Sequence, residues 1–139
     1  STFLGLPETR TKECRRLFPF FIPYLSFLVF TFSKSILISY FLGIDIGTTA
    51  SKGVAFDADG RVVGYKSVHY DILHPQPDWS EQDPAVLFDA VCTILETLFD
   101  ELGGGCQFIA FSSAMHSLMA VDEAATPLGN LIICADNRA

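Results

Sequence analysis

One short run of polar residues separates two apolar runs, and its residue types suit phosphate chemistry: Asp45-Ile-Gly-Thr-Thr-Ala-Ser-Lys52. The carboxylate at its start can hold Mg²⁺ through water, because Mg²⁺ prefers oxygen ligands and keeps several of its waters. Gly47 allows backbone N–H groups to approach phosphate oxygens closely. Thr48 and Thr49 can donate further hydrogen bonds, and Lys52 can neutralise phosphate charge. The run therefore predicts a site for the phosphates of a magnesium-bound nucleotide.

The same run also has a purely structural interpretation, in which Gly-Thr-Thr is only a tight turn between two strands. A P-loop joins a strand to a helix, whereas this run lies between two strands, and the pattern G-x-x-x-x-G-K-[ST] is absent from the sequence. The residues of the run alone leave both interpretations open.

The elements that must position this run are short strands. Apolar runs bounded by turn residues predict strands at Tyr40 to Ile46, Ser51 to Asp57 and Arg61 to Tyr70. Asp57-Ala-Asp-Gly60 provides a turn in which Gly60 adopts positive φ at little cost. We therefore expect a three-stranded β-meander with the polar run in its first connection.

A helix is predicted after this meander. The stretch Pro75 to Pro84 is polar and rich in proline, which predicts a loop. Asp83 then provides an N-cap, with Pro84 at the first helical position, and Gly103 ends the helical pattern. Apolar residues recur between them at helical spacing: Leu87, Val91, Ile94, Leu95, Leu98 and Leu102.

Further strands are predicted after the helix, at Gln107 to Ser113, Leu118 to Val121 and Leu131 to Cys134. A meander, a helix and a returning strand together make an α/β layer, in which the helix covers one face of the sheet.

Charge is distributed unevenly along the 139 residues. Residues 1–39 hold five basic and two acidic residues, whereas residues 40–139 hold four basic and fourteen acidic ones. This acidic body argues against nucleic acid as a partner, because binding a phosphate backbone depends on clustered Lys and Arg. The four cysteines are widely spaced without a C-x-x-C pair, which favours reduced thiols in the core over a disulfide framework or a zinc site.

The first 39 residues form a segment of a different kind, an apolar leader. Leu17 to Ser33 is uncharged and contains two prolines, and it reaches only the lower end of the roughly 17–25 residues that a spanning helix needs. No clear signal-peptide cleavage site follows it. Because the chain starts at Ser1 and the leader lacks helical caps and strand alternation, we expect non-native sequence first, a membrane anchor second and a secretory signal third.

Three segments, in this order, resemble the FGGY family of carbohydrate kinases in the actin-like, ribonuclease-H-like ATPase superfamily. GIDIGTTASKGVAFDADGRVV resembles the opening of these kinases, and PQPDWSEQDP resembles their P-x-P-G-W-x-E-Q-D-P stretch. FSSAMHSLMAVDEAATPLGNLIICADNRA resembles the segment whose Met-His pair faces the sugar. The motifs Ser-Ser-Ala-Met-His-Ser and Ala-Asp-Asn-Arg are similar to those of gluconokinases. Xylulokinases more often have Gly-Gln-Met-His-Gly and Asn-Asp-x-Arg at these places.

The resemblance implies a ribonuclease H-like (actin-like ATPase) α/β fold, with residues 40–139 as a partial N-terminal domain. It implies transfer of a phosphoryl group from ATP, with Mg²⁺, to a sugar or sugar acid, D-gluconate being the first expectation. Asp45 would assist the metal and the phosphates. Contacts to the phosphates would come from Gly47, Thr48, Thr49 and Lys52.

The resemblance also implies that Met115 and His116 contact the acceptor, with Asp136 as a weaker candidate. Each has a structural alternative. His116 can be a satisfied structural histidine, Met115 can be core filler, and Asp136 can be a loop carboxylate paired with Arg138.

Two departures from the family pattern limit these expectations. Cys134 stands where the family commonly has Trp, which concerns the wall on the acceptor side. The general base and most of the adenosine pocket of such kinases lie further along than Ala139, so we expect no catalytic base here and no kinase activity from this chain alone. Dependence on ATP implies a cytoplasmic location. The alternatives are a xylulokinase-like sugar kinase and a non-catalytic actin-like or degenerate kinase module.

Overall fold

The structure is a computed structural model, and it describes residues 39–138. The predicted leader, including Leu17 to Ser33, lies outside the described residues apart from Ser39. The elements in chain order are β1 (Tyr40–Ile46), β2 (Ala50–Asp57), β3 (Val62–His69), β4 (Glu81–Gln82), α1 (Pro84–Leu102), β5 (Cys106–Ser113) and β6 (Leu131–Ile132). Within residues 39–138, no helix combines the length and apolarity needed to cross a bilayer.

The main sheet has four strands in the order β3-β2-β1-β5. β1 pairs antiparallel with β2, and β2 pairs antiparallel with β3, so the predicted three-stranded meander is confirmed. β5 pairs in parallel with β1 after the crossover through α1. The carboxyl ends of β1 and β5 therefore lie at the same edge of the sheet.

Helix α1 begins and ends where local chemistry predicts. The Asp83 carboxylate accepts a hydrogen bond from the Ala85 N–H at 2.8 Å, which satisfies one of the free donors of the first turn. At the other end Gly103 adopts φ 71°, and its N–H donates to the Phe99 carbonyl at 2.9 Å. The predicted helix, with its Pro84 start, is confirmed.

The core lies between α1 and one face of the sheet. Gly53 of β2 faces the helix so closely that a Cβ there would collide with Ile94 and would lie 3.1 Å from a Leu98 methyl. The buried residues that pack together are Tyr40, Leu42, Ile44, Ala55, Ile94, Leu95 and Leu98. The opposite face of the sheet, which we call the open face, is not covered by α1.

Three expectations from the sequence need correction. The strand predicted at Leu118 to Val121 is wrong, because only isolated bridges form there, from Leu118 to Ile132 and from Val121 to Pro127. The last predicted strand is reduced to β6, and it pairs with β4 inside the segment that was predicted to be a loop. The cysteines predicted to be reduced core thiols are free at Cys106 and Cys134, but Cys134 is exposed rather than part of the core.

Candidate functional site

The connection between β1 and β2 is a tight turn that requires glycine at its start. The Gly47 N–H donates to the Ala50 carbonyl at 3.0 Å. A Cβ on Gly47 would lie only 2.9 Å from that carbonyl oxygen, closer than real Cβ atoms approach. The Gly47 N–H already donates to Ala50. Contacts from this turn to a phosphate would therefore come from the N–H groups and hydroxyls of Thr48 and Thr49. Thr49 also borders an open cavity of about 590 Å³.

A row of polar side chains crosses the open face of the sheet beside this turn. Asp45 of β1 is directly opposite Lys52 of β2, and Lys52 is opposite Ser67 of β3. On the other side Asp45 is in register with Ser112 of β5. Residues directly opposite each other project from the same face of a sheet, so these four side chains are neighbours.

Asp45, Lys52 and Ser112 of this polar row are exposed to a ligand, whereas the Ser67 hydroxyl is buried. Asp45 and Lys52 are both exposed, and the structure shows no ion pair between them. The Ser67 hydroxyl is buried, yet it has no hydrogen-bond partner within the described part of the chain. A buried polar group without a partner is uncommon and needs an explanation. A polar ligand on this face would find a carboxylate, an ammonium group and hydroxyls side by side.

Met115 and His116 lie just past the carboxyl end of β5, at the same edge as the turn. The Ala114 N–H donates to the Ile46 carbonyl at 2.9 Å, and this bond joins the segment after β5 directly to the end of β1, where the turn begins. The Met115 side chain is 76% exposed, so it is not core filler among the described residues. His116 is exposed and has φ 62°, a left-handed conformation that is uncommon for residues other than glycine.

Asp136 is part of an ion-pair network rather than a free carboxylate. The Arg138 side chain donates to it twice, from Nε to Oδ1 and from Nη2 to Oδ2, both at 2.6 Å, and the Arg138 backbone N–H donates to Oδ1 at 3.1 Å. The Ser80 N–H adds a bond to Oδ2 at 2.7 Å. The hydrogen bonds from Arg138 hold the pKa of Asp136 well below its usual range, so the carboxylate is ionised at neutral pH. The pairing with Arg138 is therefore present, while a contact from Asp136 to the acceptor stays a prediction.

The same arginine joins Asp136 to strand β4. Arg138 Nη2 donates to Glu81 Oε1 at 2.7 Å, and the guanidinium lies over the Trp79 ring, 3.9 Å from its centroid. Glu81 also accepts from the Asn130 amide at 2.8 Å, and these hydrogen bonds lower the pKa of Glu81. Trp79 thus anchors its loop by packing against Arg138.

Two supporting residues of the turn were missed by the sequence reasoning. The Tyr70 hydroxyl donates to the Gly47 carbonyl at 2.7 Å, and the Gln82 side-chain amide donates to the Thr48 carbonyl at 2.6 Å. Both residues lie outside the polar run, and Tyr70 follows β3. The only signal for Gln82 was its membership of PQPDWSEQDP, which indicates a family segment but no role.

Asp45 is the residue that the sequence predicts as a metal ligand. Within residues 39–138 no group of three or more His, Cys, Asp or Glu side chains is placed to hold a metal ion. Asp45 would therefore be a single protein carboxylate facing the metal. This arrangement suits Mg²⁺, which is commonly bound through one or two carboxylates plus substrate phosphates and water.

A sequence profile described as the FGGY family of carbohydrate kinases, N-terminal domain, matches residues 40–139. The gluconokinase of Bacillus subtilis is 45% identical over 101 residues, and the xylulose kinase of Staphylococcus xylosus is 34% identical over 105 residues. Each alignment covers 72% of this chain. The chain spans only 20% of the gluconokinase and 21% of the xylulose kinase.

Solved structures of the same two kinds of kinase are similar to the described fold. The crystal structure of gluconate kinase from Lactobacillus acidophilus superposes with a TM-score of 0.69 at 38% identity. Ligand-bound xylulose kinase from Lactobacillus acidophilus gives the same two values. Both matches cover 72% of this chain and 20% of the solved one. The ribonuclease H-like, actin-like α/β fold expected from the sequence is confirmed.

Proposed function

Because the chain belongs to the FGGY family of carbohydrate kinases, we propose that it provides the phosphate-binding side and part of the acceptor side of an ATP-dependent kinase for a sugar or sugar acid. The observation that carries this proposal is the meeting of two segments at one sheet edge. The turn after β1 and the Met115-His116 pair after β5 are joined by the bond between Ala114 and Ile46. Residues 40–139 would then be part of an N-terminal kinase domain.

In this proposal the residues of the turn and the polar row bind the nucleotide phosphates. Thr48 and Thr49 donate hydrogen bonds to the phosphates, and Lys52 balances their charge. Asp45 holds Mg²⁺ from the protein side. When bound, Mg²⁺ would neutralise negative charge that builds up on the phosphates during transfer. The alignment of Asp45 with Lys52 in the polar row supports the proposal, because groups that are held in position before binding cost less to arrange.

D-gluconate is the acceptor that we propose first. The supporting observations are the 45% identity to a gluconokinase and the segment Ser-Ser-Ala-Met-His-Ser, in which Met115 and His116 would face the acceptor. Xylulose is the second candidate, because a xylulose kinase is 34% identical and a solved one is as similar in fold as the gluconate kinase. A need for ATP places the proposed enzyme in the cytoplasm.

A chimera tests this proposal directly. Residues 40–139 replace the matching segment of the Bacillus subtilis gluconokinase, and ADP release is measured with D-gluconate and with xylulose. We expect gluconate-dependent turnover. Asp45→Asn should reduce it by about 100-fold, a typical loss when a group that stabilises transition-state charge is removed. Asp59→Asn is the matched control, because Asp59 is an exposed carboxylate in the turn between β2 and β3.

The outcomes of this experiment separate the candidates. A preference for xylulose would favour the second acceptor. A folded chimera that transfers phosphate to neither compound would favour a non-catalytic module. The purified 139-residue chain itself is expected to show no kinase activity, and ATP turnover that depends on either acceptor would contradict that expectation.

A further inference from the structure

Two side chains from outside the turn hold successive carbonyl groups within it. The Tyr70 hydroxyl donates to the Gly47 carbonyl at 2.7 Å, and the Gln82 amide donates to the Thr48 carbonyl at 2.6 Å. Tyr70 follows β3, whereas Gln82 belongs to β4. The turn is therefore held from two separate elements, in addition to its own bond from Gly47 to Ala50.

These two bonds determine the direction of two N–H groups. A peptide unit is planar and trans, so its N–H points opposite to its C=O. The Gly47 carbonyl shares a peptide unit with the Thr48 N–H, and the Thr48 carbonyl shares one with the Thr49 N–H. When both carbonyls are drawn toward Tyr70 and Gln82, both N–H groups are directed away from them. Successive N–H groups that face one side form a concavity that binds anions.

The two N–H groups are available to a ligand. Within residues 39–138, the backbone hydrogen bonds outside helices and strands include none donated by Thr48 or Thr49. The side chains that hold the carbonyls are themselves well anchored. Gln82 is only 3% exposed and lies in β4, which pairs with β6.

Tyr70 is also suited to hold a carbonyl at neutral pH. Its hydroxyl is within hydrogen-bond distance of Ser51 Oγ, at 3.1 Å. Burial raises the pKa of Tyr70, so the hydroxyl keeps its proton and remains a donor.

We propose that Tyr70 and Gln82 are positioning residues that direct the N–H groups of Thr48 and Thr49 toward the phosphates of a bound nucleotide. The proposal rests on the proposed function only for the identity of the anion. The residues would not touch the nucleotide, and they act through the two carbonyls.

The test uses the 139-residue chain with Tyr70→Phe and Gln82→Met, each of which removes the donor and keeps most of the side-chain volume. Tyr40→Phe and Gln107→Met are matched controls. Tyr40 donates to the Gly103 carbonyl at 3.2 Å and Gln107 donates to the Gly105 carbonyl at 3.1 Å, so the same chemistry is removed at the opposite edge of the sheet.

Two readouts are measured by NMR. Hydrogen exchange of the Gly47 amide reports opening of the turn, and the amides of Leu42 and Ile44 report opening of the core strand β1. We expect Tyr70→Phe and Gln82→Met each to speed Gly47 exchange by about tenfold relative to β1, the effect of losing one hydrogen bond. The second readout is the shift of the Thr48 and Thr49 amides on titration with magnesium pyrophosphate, which carries a diphosphate without adenosine. Half-saturation should need about tenfold more of it in both variants and no more in the controls.

The contradicting results are distinct for the two proposals. Unchanged Gly47 exchange overturns the positioning role, whatever the chain binds. Equal acceleration at Gly47, Leu42 and Ile44 also overturns it, because the residues would then support the whole fold. An absence of shifts with magnesium pyrophosphate in the unaltered chain contradicts phosphate binding by the turn, and thus the proposed function, and the exchange result does not depend on it.

Discussion

His116 and Ala125 are the two described residues other than glycine with positive φ, at 62° and 61°. A non-glycine residue in this region carries a conformational cost of order 1–3 kcal/mol, which persists only where other interactions enforce it. Ala125 lies in a turn closed by Asp122, whose carboxylate accepts from two backbone N–H groups. His116 has no such turn but lies at the candidate acceptor side, so its strain supports a functional position.

We predict that His116→Gly leaves the free energy of unfolding unchanged or raises it by up to about 1 kcal/mol, because glycine adopts positive φ without strain. In the gluconokinase chimera the same change should raise the KM for D-gluconate by about tenfold or more, as expected when a contact to the substrate is lost. Urea unfolding and steady-state kinetics measure the two effects.

Ala125→Gly is the control for this prediction, since it relieves the same strain far from the acceptor side. It should change stability in the same direction and leave the KM unaltered. A loss of stability in His116→Gly alone would show that the imidazole has a structural role.

The ion pairs of Arg138 make the free energy of unfolding depend on pH. Its hydrogen bonds lower the pKa values of both Asp136 and Glu81 in the folded state. A depressed folded pKa contributes stability above the unfolded pKa, roughly 4, and that contribution is lost as pH falls through the folded value. We therefore expect the unfolding free energy to decrease from about pH 5 downward.

Arg138→Met should make this decrease shallower, because the two carboxylates lose the partner that lowers their pKa values. Urea unfolding between pH 3 and pH 7 would show it. Arg61→Met is the matched control, since its pair with Asp59 is 70–75% exposed and exposed pairs contribute little. An identical pH profile in Arg138→Met and the unaltered chain would contradict the prediction.

At the scale of elements, α1 can approach β2 closely because Gly53 has no side chain. Gly53 leaves the space that Ile94, Leu98 and Ile44 fill, and β2 thereby keeps its place next to β1. The polar row depends on this arrangement, because Lys52 adjoins Gly53 and is aligned with Asp45 through the same pairing.

We predict that Gly53→Ala lowers the free energy of unfolding by about 1–3 kcal/mol, the usual cost of adding volume to a packed core. Gly43→Ala is the control on the neighbouring strand. The nearest atom to its added Cβ is the Val54 carbonyl oxygen at 4.0 Å, which is ordinary contact, so its effect should be small. Urea unfolding measures the free energy of unfolding of both variants. An equal decrease in the two would show that replacing any glycine in a strand lowers stability, whether or not it faces the helix.

At the scale of the molecule, the described sheet has two edge strands, β3 and β5. Phe108 and Phe111 of β5 are each 57% exposed, and the Phe108 ring packs against Phe41, with ring centroids 5.0 Å apart. An exposed edge with large apolar side chains is a site of association.

We predict that the 139-residue chain self-associates as its concentration rises, and that Phe108→Ser with Phe111→Ser reduces this association. The control is Val86→Ser with Phe88→Ser, which removes two exposed apolar side chains from α1 instead of from a strand edge. Size-exclusion chromatography with light scattering would measure the mass of each variant. Equal reduction by both pairs would show that general apolar exposure, rather than the β5 edge, drives association.

Much of this protein follows from short-range patterns in its sequence. The bounds of β1 and of α1, with the Asp83 cap and the Gly103 end, depend on residues within a few positions of each other, and the structure confirms them. The polar run from Asp45 to Lys52 and the family resemblance depend equally on order along the chain. Such patterns are not sufficient everywhere. A strand was predicted at Leu118 to Val121, but the structure forms only isolated bridges there.

Only the tertiary structure decided what holds the candidate site together. Gln82 contacts Thr48 across 34 positions of sequence, and Arg138 contacts Glu81 across 57. Such bonds form because folding brings distant segments together, and no local spacing encodes them. Sequence order thus predicts which residues could bind phosphate. Packing decided that Tyr70 and Gln82 hold the turn, and that Arg138 joins Asp136 to Glu81.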